Sequence, residues 1–143
     1  MLVHDEIEMD PKTHFLIVED EEDVAEVIKM GLEQLKFSGP ITISDNFEEA
    51  KKISEIADYI ISDWNLENFT GLDLLKYVRS HDKIKNIPFL MVTANDDVTE
   101  MLSATESGTS DYLVKPWGHN EFKDKVFSAW SVHSIKNSST SNP

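Results

Sequence analysis

The chain has 143 residues, of which 40% are hydrophobic, enough for one globular domain with its own core. Its 27 acidic and 13 basic residues give a formal net charge of -14, which disfavours binding to nucleic acid or to anionic membranes. The lack of cysteine excludes disulfides, thiol catalysis and cysteine metal sites. Without a secretory signal or an apolar stretch of ~20 residues, the sequence predicts a cytoplasmic protein that does not insert into membranes.

The two ends of the chain differ from its centre. Residues 1–11 carry four acids without apolar periodicity and are predicted to form an acidic N-terminal arm. Residues 137–143 are polar and are predicted to form a flexible tail. The predicted domain therefore covers residues 12–136.

Within this domain, apolar strand-like runs alternate with segments of helical period. In chain order, the predicted elements are a strand at 15–18, a helix with a stripe from Val24 to Leu35, a strand at 41–43, a helix at 47–56, a strand at 59–62, a helix built on Leu72, Leu75 and Val78, a strand at 88–92, a helix from Val98 to Thr105, a strand at 111–114 and a helix from Phe122 to His133. Five such alternations are too few to close an eight-stranded barrel. The pattern therefore predicts an α/β fold with an open, doubly wound parallel sheet.

Local signals mark several helix ends. Asn46 with Glu49 has the spacing of an N-cap pair, and Thr70 with Asp73 has the spacing of a capping box. Gly108 is placed to end the fourth helix. These signals support the predicted order of elements.

Polar residues follow four of the apolar runs. Glu19 and Asp20 follow the first strand, Asp63 the third, Thr93 the fourth and Lys115 the fifth. Alone, Asp63 would more readily be interpreted as the start of a turn than as a site residue. In a parallel sheet, however, the carboxyl ends of all strands lie along one edge, where ligands bind. We therefore expect these five side chains to converge.

Converging carboxylates repel each other by ~4 kcal/mol per pair at 4 Å and an effective dielectric near 20. A positive partner is needed, and oxygen ligands with open positions suit Mg²⁺. Lys115 adds a fixed positive charge and Thr93 a hydroxyl donor. These groups are the parts needed to pass a phosphoryl group to Asp63.

Four stretches in the right order, 15–21, 61–66 with 71–76, 90–94 and 111–116, resemble those of response-regulator receiver domains, in particular the stand-alone chemotaxis (CheY-like) type. The resemblance covers roughly residues 12–136. It implies a flavodoxin-like sheet of strand order 2-1-3-4-5 with five helices. It also implies a Lys115–Pro116 bond that is often cis.

The resemblance further implies a role for each site residue. Asp63 matches the phosphoacceptor and a metal ligand, Asp20 a direct Mg²⁺ ligand, and Glu19 an acid that holds the metal through water. Asn65 matches the residue whose backbone carbonyl completes the metal site.

On the other side of Asp63, Thr93 and Lys115 match the groups that grip the phosphoryl oxygens, and Ala94 leaves room beside them. Tyr112 matches the aromatic that swings inward when the threonine moves, so Thr93 and Tyr112 form the implied switch.

The chain departs from the family's pattern in the loop after Asp63. Glu67 stands where proline is usual and Thr70 where an acid is common, which leaves the rigidity of this loop open. Asn65 and Asn95 occupy positions that tune the lifetime of the phosphate, and neither is an acid.

The resulting hypothesis is a single-domain response regulator that receives phosphoryl from a histidine kinase or phosphotransfer protein. It would catalyse only its own phosphorylation and dephosphorylation and act as a monomer or weak dimer. No effector domain is predicted after Trp130, so the output is expected to pass to a partner protein through the fourth helix, fifth strand and fifth helix of the receiver.

Three alternatives remain. Within the same class, the chain could be a phosphorelay intermediate or phosphate sink rather than a chemotaxis effector. An aspartate-nucleophile phosphatase would need an acid two residues after the nucleophile, where Asn65 stands. A passive interaction module would not need an intact set of site residues. The five histidines lack metal-binding spacing and are predicted to be surface or filler residues.

Overall fold

The computed structural model describes residues 1–94 and 98–141, with side chains at 1–94 and 99–133. The strands are β1 (Leu2–His4), β2 (Ile7–Met9), β3 (Phe15–Val18), β4 (Ile41–Ser44), β5 (Tyr59–Asp63), β6 (Phe89–Thr93) and β7 (Asp111–Val114). The helices are α1 (Glu22–Gln34), α2 (Phe47–Ser54), α3 (Gly71–Ser80), α4 (Val98–Glu106) and α5 (His119–Ser141).

The main sheet is parallel and has the order β4-β3-β5-β6-β7. Counting only its own five strands, this is the order 2-1-3-4-5, so the predicted flavodoxin-like fold is confirmed. β3, β5 and β6 are buried along their whole length because helices cover both faces of the sheet. Successive strand residues therefore alternate between two cores. Phe15 and Ile17 pack with α1 and α5, whereas Leu16 and Val18 pack with α2 and α3.

The predicted helix ends are confirmed. Asn46 Oδ1 accepts a 2.9 Å hydrogen bond from the Glu49 backbone N–H, and Thr70 and Asp73 form both bonds of a capping box. Gly108 follows α4 with a φ of 95°, a left-handed conformation that glycine adopts without steric cost.

The first residues of the chain form a β-hairpin, not an unpacked arm. β1 and β2 pair antiparallel through a turn in which Asp5 and Glu6 both have positive φ, as in the hairpin turns that match the twist of the strands. Met9 is fully buried in the same core as Phe37 and Phe127. The hairpin is therefore part of the hydrophobic core, although its acids suggested a solvated arm.

The last helix also differs from its prediction. The backbone of α5 stays helical through Ser141, across most of the segment 137–143 that was predicted to be a flexible tail. Each residue added to an existing helix gains one backbone hydrogen bond without fixing a new nucleus, so the helix needs no apolar stripe to continue. Within the described residues, no helix is both long and apolar enough to cross a membrane.

Candidate functional site

The parallel sheet brings the predicted site residues to one edge. Glu19 and Asp20 directly follow β3, Asp63 and Thr93 are the last residues of β5 and β6, and Lys115 directly follows β7. Adjacent strands end at similar heights: Asp63 pairs with Val92 and Thr93 with Val114. The strand ends thus place the five residues along one edge of the sheet, as expected.

Three carboxylates form the centre of this edge. Glu19, Asp20 and Asp63 each offer an oxygen within 4.8 Å of the others. Glu19 and Asp63 are only 3% and 7% exposed, whereas Asp20 is exposed to solvent. The cluster is thus open on the Asp20 side, from which a small ligand can enter.

Lys115 supplies one positive charge to this cluster. Its Nζ lies 3.3 Å from Asp63 Oδ2 and 3.7 Å from Glu19 Oε2. Burial, together with the charge of Asp63, raises the pKa of Glu19 to about 7. Burial also raises the pKa of Asp63, against the opposing attraction of Lys115. A single lysine cannot balance a cluster of three acids, so excess negative charge remains at the site when they are ionised.

One buried oxygen of Glu19 lacks a hydrogen-bond donor. Oε1 accepts a 3.2 Å hydrogen bond from the Glu21 backbone N–H, but Oε2 has no hydrogen-bond partner. Buried polar atoms are nearly always satisfied by protein, water or an ion. An oxygen-only cluster with an unsatisfied acceptor fits a hard cation such as Mg²⁺, as the sequence predicts.

Thr93 contacts an acid that sequence reasoning missed. The Thr93 side chain is buried, and its Oγ1 donates a 3.4 Å hydrogen bond to Glu100 Oε2 on α4. Tyr112 is partly buried and packs against the α2–α3 core. Tyr112, Thr93 and Glu100 line a small cavity of about 10 Å³. Glu100 comes seven residues after Thr93 and belongs to a different element, α4 and not β6. No sequence periodicity therefore predicts their contact.

Backbone contacts hold the loop after Asp63. The Trp64 N–H donates to the Val92 carbonyl at 2.7 Å, the Gly71 N–H donates to the Trp64 carbonyl at 2.8 Å, and Asn65 forms a β-bridge with Thr70. The two ends of this loop are held together, although Glu67 and Thr70 differ from the residues that are usual in the family at these positions. These contacts restrain the loop, whose rigidity the sequence left open.

The remaining predicted residues have different outcomes. The Lys115–Pro116 peptide bond is cis, as the resemblance implied. Ala94 is exposed beside Thr93. Asn95 lies outside the described residues. His133, which ends the predicted stripe of the final helix, is buried and hydrogen-bonds through Nδ1 to the hydroxyl of Ser110.

Comparison with known proteins agrees with this geometry. The family model for "Response regulator receiver domain" matches residues 15–127. The chain is 33% identical over 113 residues to Chemotaxis protein CheY1 of Helicobacter pylori, covering 78% of this chain and 91% of that protein. It is also 33% identical over 112 residues to Chemotaxis protein CheY of Pseudomonas aeruginosa, covering 78% and 90%.

Solved structures show the same fold. A putative response regulator from Chloroflexus aurantiacus matches with a TM-score of 0.75 and 30% identity, over 85% of this chain and 98% of that one. The chemotaxis response regulator CheY4 of Vibrio cholerae matches with a TM-score of 0.73 and 23% identity, over 82% and 98%. With the family match, the relatives and the arrangement of the strand ends in agreement, the chain belongs to the response regulator receiver domain family.

Proposed function

We propose that this receiver accepts a phosphoryl group on Asp63 from a histidine kinase or phosphotransfer protein and signals by phosphorylation-dependent protein binding, with a chemotaxis-like output. The observation that carries the proposal is the open acidic cluster, in which the buried Oε2 of Glu19 has no hydrogen-bond partner and Asp63 lies 3.3 Å from Lys115. The names of the two curated relatives support the chemotaxis-like output.

In this proposal, a carboxylate oxygen of Asp63 attacks the phosphorus of the donor in line. A new P–O bond forms, the P–N bond of the phosphohistidine breaks, and the electron pair leaves with the imidazole nitrogen. Lys115 already contacts Asp63 Oδ2 and can follow the negative charge as it moves to the phosphoryl oxygens. Thr93 would then donate its hydroxyl proton to a phosphoryl oxygen. The domain promotes only its own phosphorylation and dephosphorylation.

The acids of the site have a separate role. Asp20 and Asp63 would hold Mg²⁺ directly, with the backbone carbonyl of Asn65, and Glu19 would hold it through water. When bound, Mg²⁺ neutralises charge on the transferring group and on the carboxylates. Without a cation, the ionised form of Glu19 is unfavourable in this buried position. Its raised pKa of about 7 reflects that cost.

We propose that the output leaves through the face made of α4, β7 and α5. Thr93 and Tyr112 lie at the inner side of this face, around the same small cavity. Leu102 of α4 is 56% exposed, which supplies apolar area for a partner. When Thr93 turns toward a phosphoryl group, Tyr112 can follow it inward and change this surface.

The test is to incubate the protein with Mg²⁺ and a small phosphodonor and to follow the intact mass and the fluorescence of the partly buried Trp64. We expect one labile phosphate, which Asp63→Asn abolishes and Asp82→Asn, a change at an exposed acid far from the site, leaves unaffected. Label that survives Asp63→Asn would refute the proposal, and turnover of phosphate esters would indicate a phosphatase instead.

A second measurement addresses the pathway. Protein phosphorylated on Asp63 is mixed with a purified phosphotransfer domain, and the mass of both proteins is followed. Retention of the phosphate on this chain until hydrolysis is the result expected of an effector. Rapid transfer to the histidine of the second protein would instead indicate a phosphorelay intermediate.

A further inference from the structure

The hydroxyl of Thr93 is engaged by α4 in the unphosphorylated protein. Its Oγ1 donates to Glu100 Oε2 at 3.4 Å, and Glu100 lies in the first turn of α4, where the helix dipole stabilises an acidic side chain. We propose that Glu100 is a positioning residue that holds Thr93 away from Asp63 and thereby opposes phosphorylation. This inference rests on the proposed function, because it concerns how readily Asp63 is phosphorylated.

A threonine hydroxyl has one proton to donate. If that proton goes to the Glu100 carboxylate, it is not available to a phosphoryl oxygen on Asp63. Phosphorylation must therefore break a charge-assisted hydrogen bond before Thr93 can stabilise the product. Breaking that bond costs free energy, which reduces the stabilisation that the Thr93 hydroxyl gives to the phosphorylated form. Glu100 therefore shifts the equilibrium toward the unphosphorylated form.

The space around this contact links it to Tyr112. Tyr112, Thr93 and Glu100 line one small cavity of about 10 Å³. The Thr93–Glu100 contact borders the space into which Tyr112 would move, so a shift of the ring toward Thr93 would bring it against this contact.

Charge acts in the same direction. Glu100 places a carboxylate beside the threonine that must approach a phosphoryl group bearing about two negative charges. Lys115 faces Asp63 and Glu19 and is not among the residues around the Thr93–Glu100 cavity. Replacing Glu100 with glutamine keeps an acceptor for Thr93 but removes this repulsion, so the two contributions can be separated.

The experiment measures the rate at which a small phosphodonor labels Asp63 in Mg²⁺ buffer, by intact mass, and the affinity for beryllofluoride, by Trp64 fluorescence. We expect Glu100→Ala to raise both about five- to tenfold, the factor that corresponds to loss of one competing hydrogen bond. Glu100→Gln should give a smaller increase. Glu106→Ala, which removes an exposed acid from the same helix, should change neither quantity.

A positioning role acts through Thr93, which a double-mutant cycle can show. In a Thr93→Val background, Glu100→Ala should raise the labelling rate no more than Glu100→Gln does in the wild type, because only the charge effect is left to remove; long incubation keeps the rate measurable even in a slow variant. An equal increase in both backgrounds, or no increase in the wild type, would overturn the inference while leaving the proposed function intact. If no variant is labelled on Asp63, the proposed function fails, and this inference fails with it.

Discussion

Replacement of Glu19 with glutamine should stabilise the metal-free protein at neutral pH. The Glu19 carboxyl is buried beside Asp63, and its pKa is raised from 4.5 to about 7. At about 1.4 kcal/mol per pH unit, this interval corresponds to about 3 kcal/mol of unfavourable free energy for ionising Glu19 in the folded state. Glutamine has nearly the same shape and no charge, so it removes this cost.

The sign follows from proton linkage. Between pH 4.5 and about 7, the folded protein holds a proton on Glu19 that the unfolded chain has released. The folded state then binds more protons, so the free energy of unfolding falls as pH rises through this window. Below pH 4.5 Glu19 is protonated in both states and contributes no difference. Above pH 7 the full cost of about 3 kcal/mol is present in the wild type and absent in the variant.

Urea unfolding followed by far-UV circular dichroism at pH 4.5, 6, 7 and 8, in buffer with EDTA, measures this difference. The stability advantage of Glu19→Gln should grow between pH 4.5 and 7 and then level off. Glu26→Gln, a matched change at an exposed position of α1, should follow the wild type at every pH. Parallel pH profiles for Glu19→Gln and the wild type would show that burial of Glu19 carries no such cost.

Three further changes test the packing beside Asp63, the packing of the hairpin and the hydrogen bonds of Arg79. Gly71→Ala should lower the free energy of unfolding by about 1–3 kcal/mol, because the new Cβ would lie 2.3 Å from the Asp63 carbonyl oxygen; unchanged urea unfolding would show that this approach is not restrictive. Met9→Ala should cost about 2–5 kcal/mol, since Met9 is fully buried, and a loss below 1 kcal/mol in thermal unfolding would indicate that the hairpin packs only loosely. Arg79→Lys should cost about 2 kcal/mol or more, because one ammonium nitrogen would replace the separate Nε and Nη1 atoms that donate to the carbonyls of Gly108 and Ile87, at 2.7 and 2.6 Å. Wild-type stability in urea would contradict this.

The core of the site could be predicted because it depends on local signals. Each strand end is marked by an apolar run that stops at a polar residue, and a parallel sheet then aligns the ends without further information. Asp63 and Lys115, 52 residues apart in the chain, therefore meet at 3.3 Å. The caps at Asn46 and Thr70 were equally predictable, since both partners of each cap lie within four residues.

The parts that escaped prediction depend on distant partners. The strands of the hairpin are three residues long, and Met9 is buried only because Phe37 and Phe127 are brought to it by the fold. Glu100 reaches Thr93 because of how α4 packs. None of these contacts leaves a periodic pattern in the sequence.

The bridge between Asn65 and Thr70 makes the loop after Asp63 a site where foreign sequence can be inserted. Its base is fixed by backbone hydrogen bonds, whereas Glu67 and Asn68 at its tip are exposed. Lengthening a loop whose ends are already held costs little, since doubling its length adds only about 0.6 kcal/mol of closure entropy. A short peptide tag inserted between Glu67 and Asn68 would therefore lie next to Asp63 without displacing it. Under the proposed function, a fluorescent label on that tag would report phosphorylation of Asp63.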